Sequence, residues 1–423
     1  MSKLPTIGFA GMTHLGLCSA IAGASKGFET LGFDPDKLLV AKLESGELPV
    51  VEPDLDALLA ANLARIRFAS DPDRLAACDV VYVAPDVSTD DHGASDLAVL
   101  DSLLTLVLER TRPQTVVVVL SQAPPGFTRA RQRPGRLLFY QVETLVFGRA
   151  VERATRPERF IVGAQDPATP LPQALTTFLE AFGCPILPMR FESAELTKIS
   201  INCCLVASVT VANTLAELCE RIGADWSEIA PALKLDRRIG LHSYLSPGLG
   251  LAGGNLERDL ATVISFSETF GTEAGLIKAF VANSRHRKDW ALRTIHDQVL
   301  SRRPEARIGI LGLAYKENTH STKNSPALAL IRHLHPWPLQ VFDPVVPATA
   351  VRRPGVIGAD SALDAARDVD VLAIMTPWAE FRALAPADLA AAMRGNVVID
   401  PYGVLDAAAA RAAGLDRHTL GVA

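Results

Sequence analysis

Three things are scarce in this chain, and each scarcity excludes a class of protein. Cysteine comes first: Cys18, Cys78, Cys184, Cys203, Cys204 and Cys219 are the only six among 423 residues, scattered through apolar stretches. Their spacing matches no zinc pattern, and a chain of this size with so little cysteine is no disulfide scaffold, so no metal site is expected. An excess of one charge is second: 42 basic against 47 acidic side chains leave −5. No general attraction to nucleic acid or an anionic membrane follows, and a small anionic ligand must be held by local groups. The third is a long apolar run. Residues 1 to 20 have neither a basic n-region nor a long apolar core, and no run reads as membrane-spanning. A cytoplasmic protein without a membrane partner is expected.

What is present is an ordinary globular composition, 48% hydrophobic and 21% charged, in a chain long enough for two or three domains. From residue 5 to about 190, short β-rich runs ("TIGFAG", "FETLGFD", "CDVVYVAPD", "TVVVVLSQ", "RFIVGA", "CPILPM") alternate with helical stretches. Such alternation predicts βαβ units and a parallel sheet. From Glu192 to Leu300 the strand signals vanish, and "SAELTKISINCCLVASVTVANTLAELCERIG" predicts one long buried helix. After the polar "SRRPEA", alternation resumes with "RIGILGLAY", "LQVFDP", "DVLAIMTPW" and "NVVIDPYG". The expected architecture is α/β: two Rossmann-like, doubly wound parallel-sheet domains, 1–191 and 304–423, joined by a central helical domain, 192–303.

Three constellations carry chemistry. In "IGFAGMTHLG", Gly11, Thr13 and Gly16 take the G-x-G-x-x-G positions between a strand and a helix. The first glycine permits the tight turn, the second lets backbone approach a pyrophosphate, and the third lets helix and strand pack closely. Thr13 departs from the pattern and is expected to crowd the phosphates. Asp34, ending the second strand, stands where a ribose-binding carboxylate favours NAD over NADP. The second constellation is Lys198 and Asn202 in "AELTKISIN", four residues apart on one helix face. An ammonium and a carboxamide there can hold a substrate hydroxyl, and a desolvated lysine can take its proton as hydride leaves. Glu195, one turn earlier, reads as a structural partner. The third is "DRRIGLHSYLSPGLGLAGGNLERD", residues 236 to 259, where Gly248, Gly250, Gly253 and Gly254 offer backbone amides to a ligand and Arg238 suits a phosphate.

Together with "SQAPPGF", "AVERATRPERFIVG", "ILGLAYKENTHSTKNSPAL", "VFDP" and "TPWAEF", these stretches resemble the UDP-glucose/GDP-mannose dehydrogenase family from about Ile7 to Asp400. The resemblance implies an amino-terminal NAD domain, a helical dimerising middle and a carboxy-terminal domain for the nucleotide of a nucleotide sugar, a UDP-sugar. It implies a homodimer built on the central helix, in which Arg238 reaches the neighbour's site. It places the cofactor against Gly11, Thr13, His14, Leu15, Gly16, Asp34, Lys37, Pro85 and Lys323. Substrate falls against Thr144, Leu145, Arg238, Tyr244, Gly248, Gly250, Gly253, Lys316 and Tyr402. The catalytic set it implies is Lys198, Asn202, Asn255, Asp259, Glu143 and Gln122.

Family members oxidise a primary alcohol twice, and the second oxidation needs a cysteine in G-G-S-C-F-P-K-D. Aligned without gaps, the thiol's place is held by Asn255, a negligible nucleophile beside a thiolate. Other departures gather at the reacting end. Gln122 replaces a threonine and Phe147 a glutamate, while Lys323 and Tyr402 replace arginines. Lysine keeps charge but lacks the bidentate fork. The Lys-x-x-x-Asn pair also resembles the 3-hydroxyacid dehydrogenase superfamily, which runs a single alcohol-to-carbonyl step. The expected reaction is therefore one two-electron step on a nucleotide sugar, as net oxidation or as transient oxidation that inverts a centre. Two alternatives stand beside it: a full acid product through hydration of a bound aldehyde, and a non-catalytic binding homologue.

Overall fold

The computed structural model describes residues 3–90 and 93–423. They form two compact units, 1–201 and 202–423.

In the first unit eight strands form one sheet: β1 (Ile7–Ala10), β2 (Thr30–Phe33), β3 (Ile66–Ala69), β4 (Val80–Val83), β5 (Val116–Val119), β6 (Leu137–Gln141), β7 (Phe160–Ala164) and β8 (Ile186–Arg190). Their order is β3-β2-β1-β4-β5-β6-β7-β8. The order in which strands are added reverses at β1, with β2 on one side and β4 on the other, which creates the crevice where doubly wound sheets hold ligands. Strands β1, β4 and β5 read as unbroken buried runs, as strands covered on both faces must. Two strands escaped the sequence reading, β3 ("IRFA") and β6 ("LLFYQ"), because each mixes polar and apolar residues. One pairing departs from the parallel expectation: β6 and β7 run antiparallel.

The second unit holds a six-stranded, wholly parallel sheet: β9 (Ile308–Leu311), β10 (Leu339–Phe342), β11 (Val356–Gly358), β12 (Val371–Ile374), β13 (Val397–Ile399) and β14 (Asp416–His418). The order β11-β10-β9-β12-β13-β14 repeats the first six positions of the other sheet. The edge strands β11 and β14, three residues each, are too short and polar to announce themselves. The likeness extends to hydrogen bonds. Gly11 (φ 95°) and Gly312 (φ 91°) make the same left-handed turn. The amide after each glycine, Met12 N–H or Leu313 N–H, donates to a strand-end aspartate, Asp34 at 2.8 Å or Asp343 at 2.7 Å. The two outer domains are thus one fold used twice.

The long helix spans Phe191–Ile222. Its 32 residues are apolar enough, by length and composition, to cross a membrane, which corrects the expectation that nothing in the chain reaches that length. A core or interface helix of a soluble protein has the same composition. Past it, residues 236–254 form no helix or strand, and helix Asn255–Phe270 begins directly behind Gly254, whose φ of 98° turns the chain into it. The opening of a helix by the glycine loop is as the sequence suggests.

Candidate active site

The fingerprint loop is built as a dinucleotide cradle requires. A Cβ on Gly11 would lie 2.8 Å from the Pro85 nitrogen, and one on Gly16 would lie 1.8 Å from the Gly11 carbonyl oxygen. No larger residue fits either place. Asp34 is buried at the end of β2, and its carboxylate accepts the Met12 and Asp36 amides at 2.8 and 3.0 Å. A carboxylate at this place repels a ribose 2′-phosphate. The Thr13 hydroxyl accepts the Asp86 amide at 2.8 Å, so this side chain is turned back onto the protein. Leu15 is buried, while Lys37 is exposed at the start of helix Lys37–Glu44. These features fit NAD.

The His14 side chain shows what the sequence hid. Its ring stacks on Phe147 at 4.1 Å and meets Glu52 at 2.8 Å. Glu52, buried, also accepts the Gly148 amide at 2.9 Å and the Ala150 amide at 3.2 Å. One carboxylate therefore ties the fingerprint helix to the segment after β6. No motif singles out Glu52, because its partners lie 38, 96 and 98 residues away.

That segment carries Glu143. One of its oxygens lies 2.7 Å from Lys198 Nζ, and the other accepts the Leu145 amide at 3.0 Å. Both side chains are largely withdrawn from water, at 12% and 15% exposed. A lysine and a glutamate in contact at low solvent exposure form a unit through which one proton can pass. The Thr144 carbonyl accepts from Arg153 at 3.3 Å. Gln122 is buried just past β5. Glu195, fully buried, accepts the Gly126 and Thr128 amides at 2.6 and 2.9 Å, a structural role. Burial pushes its carboxyl above the usual range.

In the second unit, Asn202 donates to Asp259, both buried. This bond fixes the amide. Arg258, also buried, lies 3.5 Å from the same carboxylate. Asn255 is exposed at the first turn of its helix. The glycine loop is held from several directions. Gly248 N–H donates to Asn213 at 2.8 Å, and Gly253 N–H donates to the Lys323 carbonyl at 3.0 Å. A Cβ on Gly250 would lie 2.4 Å from the Ser284 carbonyl, and one on Gly253 would lie 2.7 Å from the Tyr315 ring. Glu257, which no motif marks, pairs with Lys288 at 2.8 Å and accepts from Asn324. Lys316 sits over the Tyr315 ring at 5.7 Å. Tyr402 hydrogen-bonds to the Leu249 backbone, and burial pushes its phenol up to about 12. Two expected substrate residues are not brought in within the unit: Arg238 is 89% exposed and paired with Asp236, and Tyr244 is 53% exposed.

A doubly wound sheet with a dinucleotide loop, followed by a helical middle and a second such sheet, defines a class of nucleotide-dependent oxidoreductases. Comparison with known proteins specifies the class. The family's NAD-binding domain matches residues 5–178, its central domain 192–285 and its UDP-binding domain 309–407. The chain belongs to the UDP-glucose/GDP-mannose dehydrogenase family. It is similar to a UDP-glucose 6-dehydrogenase of Rhizobium meliloti, 29% identical over 92% of this chain and 93% of the relative. Another of Bacillus subtilis is 28% identical over 100% of this chain and 93% of the relative. Among solved structures, a UDP-glucose dehydrogenase from Pyrobaculum islandicum superposes with a TM-score of 0.84 at 26% identity, covering 96% of this chain and 98% of that one.

Proposed function

We propose that this chain is an NAD-dependent nucleotide-sugar oxidoreductase that performs one two-electron step between an alcohol and a carbonyl. The reading rests on the contact between Lys198 and Glu143, 2.7 Å, taken with the absence of any cysteine from the run Gly253–Asp259. In it, residues 1–191 hold NAD, 192–303 pair two protomers, and 304–423 hold the nucleotide of a UDP-sugar.

NAD, when bound, supplies the hydride acceptor. The chain's residues do the rest. Lys198 passes a proton to the Glu143 carboxylate, and its freed amine takes the hydroxyl proton as the carbon gives up hydride. Asn202, held by Asp259, orients the oxygen that becomes a carbonyl. Asn255 offers a hydrogen bond to that oxygen and is too weak a nucleophile to attack the product aldehyde or ketone. Without a thiol at this place the thiohemiacetal route to a second hydride is closed, and turnover ends at one. Lys316 supplies positive charge for the nucleotide sugar and Lys323 for the cofactor, while Gln122, Thr144, Leu145 and Tyr402 shape the sugar side. The stripe Val211, Leu215, Leu218 and Ile222, at spacings of four, three and four residues, remains exposed on the long helix and suits a second copy.

The test is product analysis with a panel of UDP-sugars. One NADH per sugar, or a change in stereochemistry without net NADH, is expected. A uronic acid formed with two NADH per sugar would refute the reading.

A further inference from the structure

The fingerprint loop already holds an anion of its own. The first-turn amide of helix His14–Ser25, that of His14, donates to the Asp86 carboxylate at 3.0 Å. This is the kind of amide that a dinucleotide fold presents to the pyrophosphate, at the positive end of the helix. Thr13, the helix N-cap, makes no capping bond with its own side chain. Its hydroxyl instead accepts the Asp86 amide at 2.8 Å and faces the Ala84 carbonyl at 3.5 Å. The residue that replaces the second glycine is therefore turned toward the Asp86 segment. It clamps the segment behind β4 so that the neighbouring carboxylate reaches the helix.

The backbone under Asp86 is fixed from both sides. Ser121 donates to the Pro85 carbonyl at 2.5 Å, and Pro85 lies so near Gly11 that a Cβ there would sit 2.8 Å from its nitrogen. The Asp86 side chain itself is exposed. Exchange consequently needs only a side-chain rotation into water, not movement of the segment. A carboxylate and a diphosphate cannot share that amide. Both are anionic, and Asp34 and Glu52 add negative charge to the same loop.

We propose that Asp86 is a built-in occupant of the phosphate-binding amide, which the diphosphate of the dinucleotide displaces, and that the Thr13–Asp86 pair sets the cofactor affinity of this chain. The proposal rests on the assignment of NAD to this domain. It concerns the diphosphate, so NAD and ADP-ribose respond alike.

Calorimetric titration of NAD and of ADP-ribose into the full-length protein tests it, with Asp86→Ala and Asp86→Asn. Both variants are expected to bind both ligands more tightly, by about tenfold for removal of a charge from a helix N-terminus. The asparagine variant keeps shape and fold, which separates charge from packing. If Asp86 only caps the helix, Asp86→Ala melts at lower temperature while affinity stays level or weakens, and the proposal falls. Unchanged affinity in both variants likewise overturns the role of Asp86 but leaves NAD assigned. No binding of either ligand to any of the three proteins overturns both.

Discussion

Lys198 is the residue on which the chemistry turns, and its setting explains why. At 12% exposure, 2.7 Å from Glu143, its ammonium has one strong partner and little water. Lys198→Gln preserves length and hydrogen bonding but cannot accept a proton. Turnover should fall by roughly 10²- to 10⁴-fold, the usual contribution of a positioned acid–base group, while NAD affinity stays unchanged. Steady-state rates beside calorimetry decide this, and weakened NAD binding would mean a structural role instead. The sequence offered Lys198 through its spacing to Asn202. It offered Glu143 only through the family pattern, because the two meet across the fold. Glu52 and Asp86 carried no signal at all. Each is one carboxylate among 47 acidic residues, and only its distant partners distinguish it.

At the scale of elements, most of the architecture was readable. Alternating apolar runs gave most strands of both sheets, though not the interior β6, and the apolar 32-residue helix announced itself. The edge strands β11 and β14 were not readable, since they bury little and need little hydrophobicity. The second sheet is secured by Asp370, buried ahead of β12. It accepts the Arg307 amide at 2.8 Å and the Arg394 guanidinium at 2.9 Å, with Arg303 at 3.3 Å. Burial alone would raise this carboxyl. The hydrogen bonds from Arg394 and the Arg307 amide, with the charges of Arg394 and Arg303, overcome burial and hold it below the usual carboxylate range. A depressed folded value gives stability that is present above the unfolded value, about 3.9, and is lost as pH falls through the folded one. Asp370→Asn should lower stability at pH 7 by about 1–3 kcal/mol, and the gap to the wild type should close as pH falls below about 4. Denaturant titrations at several pH values measure it, and a gap constant with pH would contradict the assignment.

At the scale of the whole molecule, the exposed stripe on the long helix bears on assembly. Val211, Leu215, Leu218 and Ile222 are between 40% and 64% exposed, an apolar row that a lone protomer leaves in water. Leu215→Glu with Leu218→Glu should convert a dimer into a monomer under sedimentation at micromolar concentration. A wild-type protein already monomeric there would dismiss the interface.

Sequence by itself determined the α/β class, the two doubly wound halves, the glycine turn with Asp34, and the helix bearing Lys198 and Asn202. All of these are local patterns, set by periodicity, turn geometry and spacing along the chain. Only the tertiary structure decided that Glu143 meets Lys198, that Glu52 binds His14 to the segment after β6, and that Asp86 rests on the His14 amide. Such contacts join residues dozens of positions apart, and no periodicity encodes them. They exist because the sheet and the helices packed on it bring loops that are distant in sequence to one place.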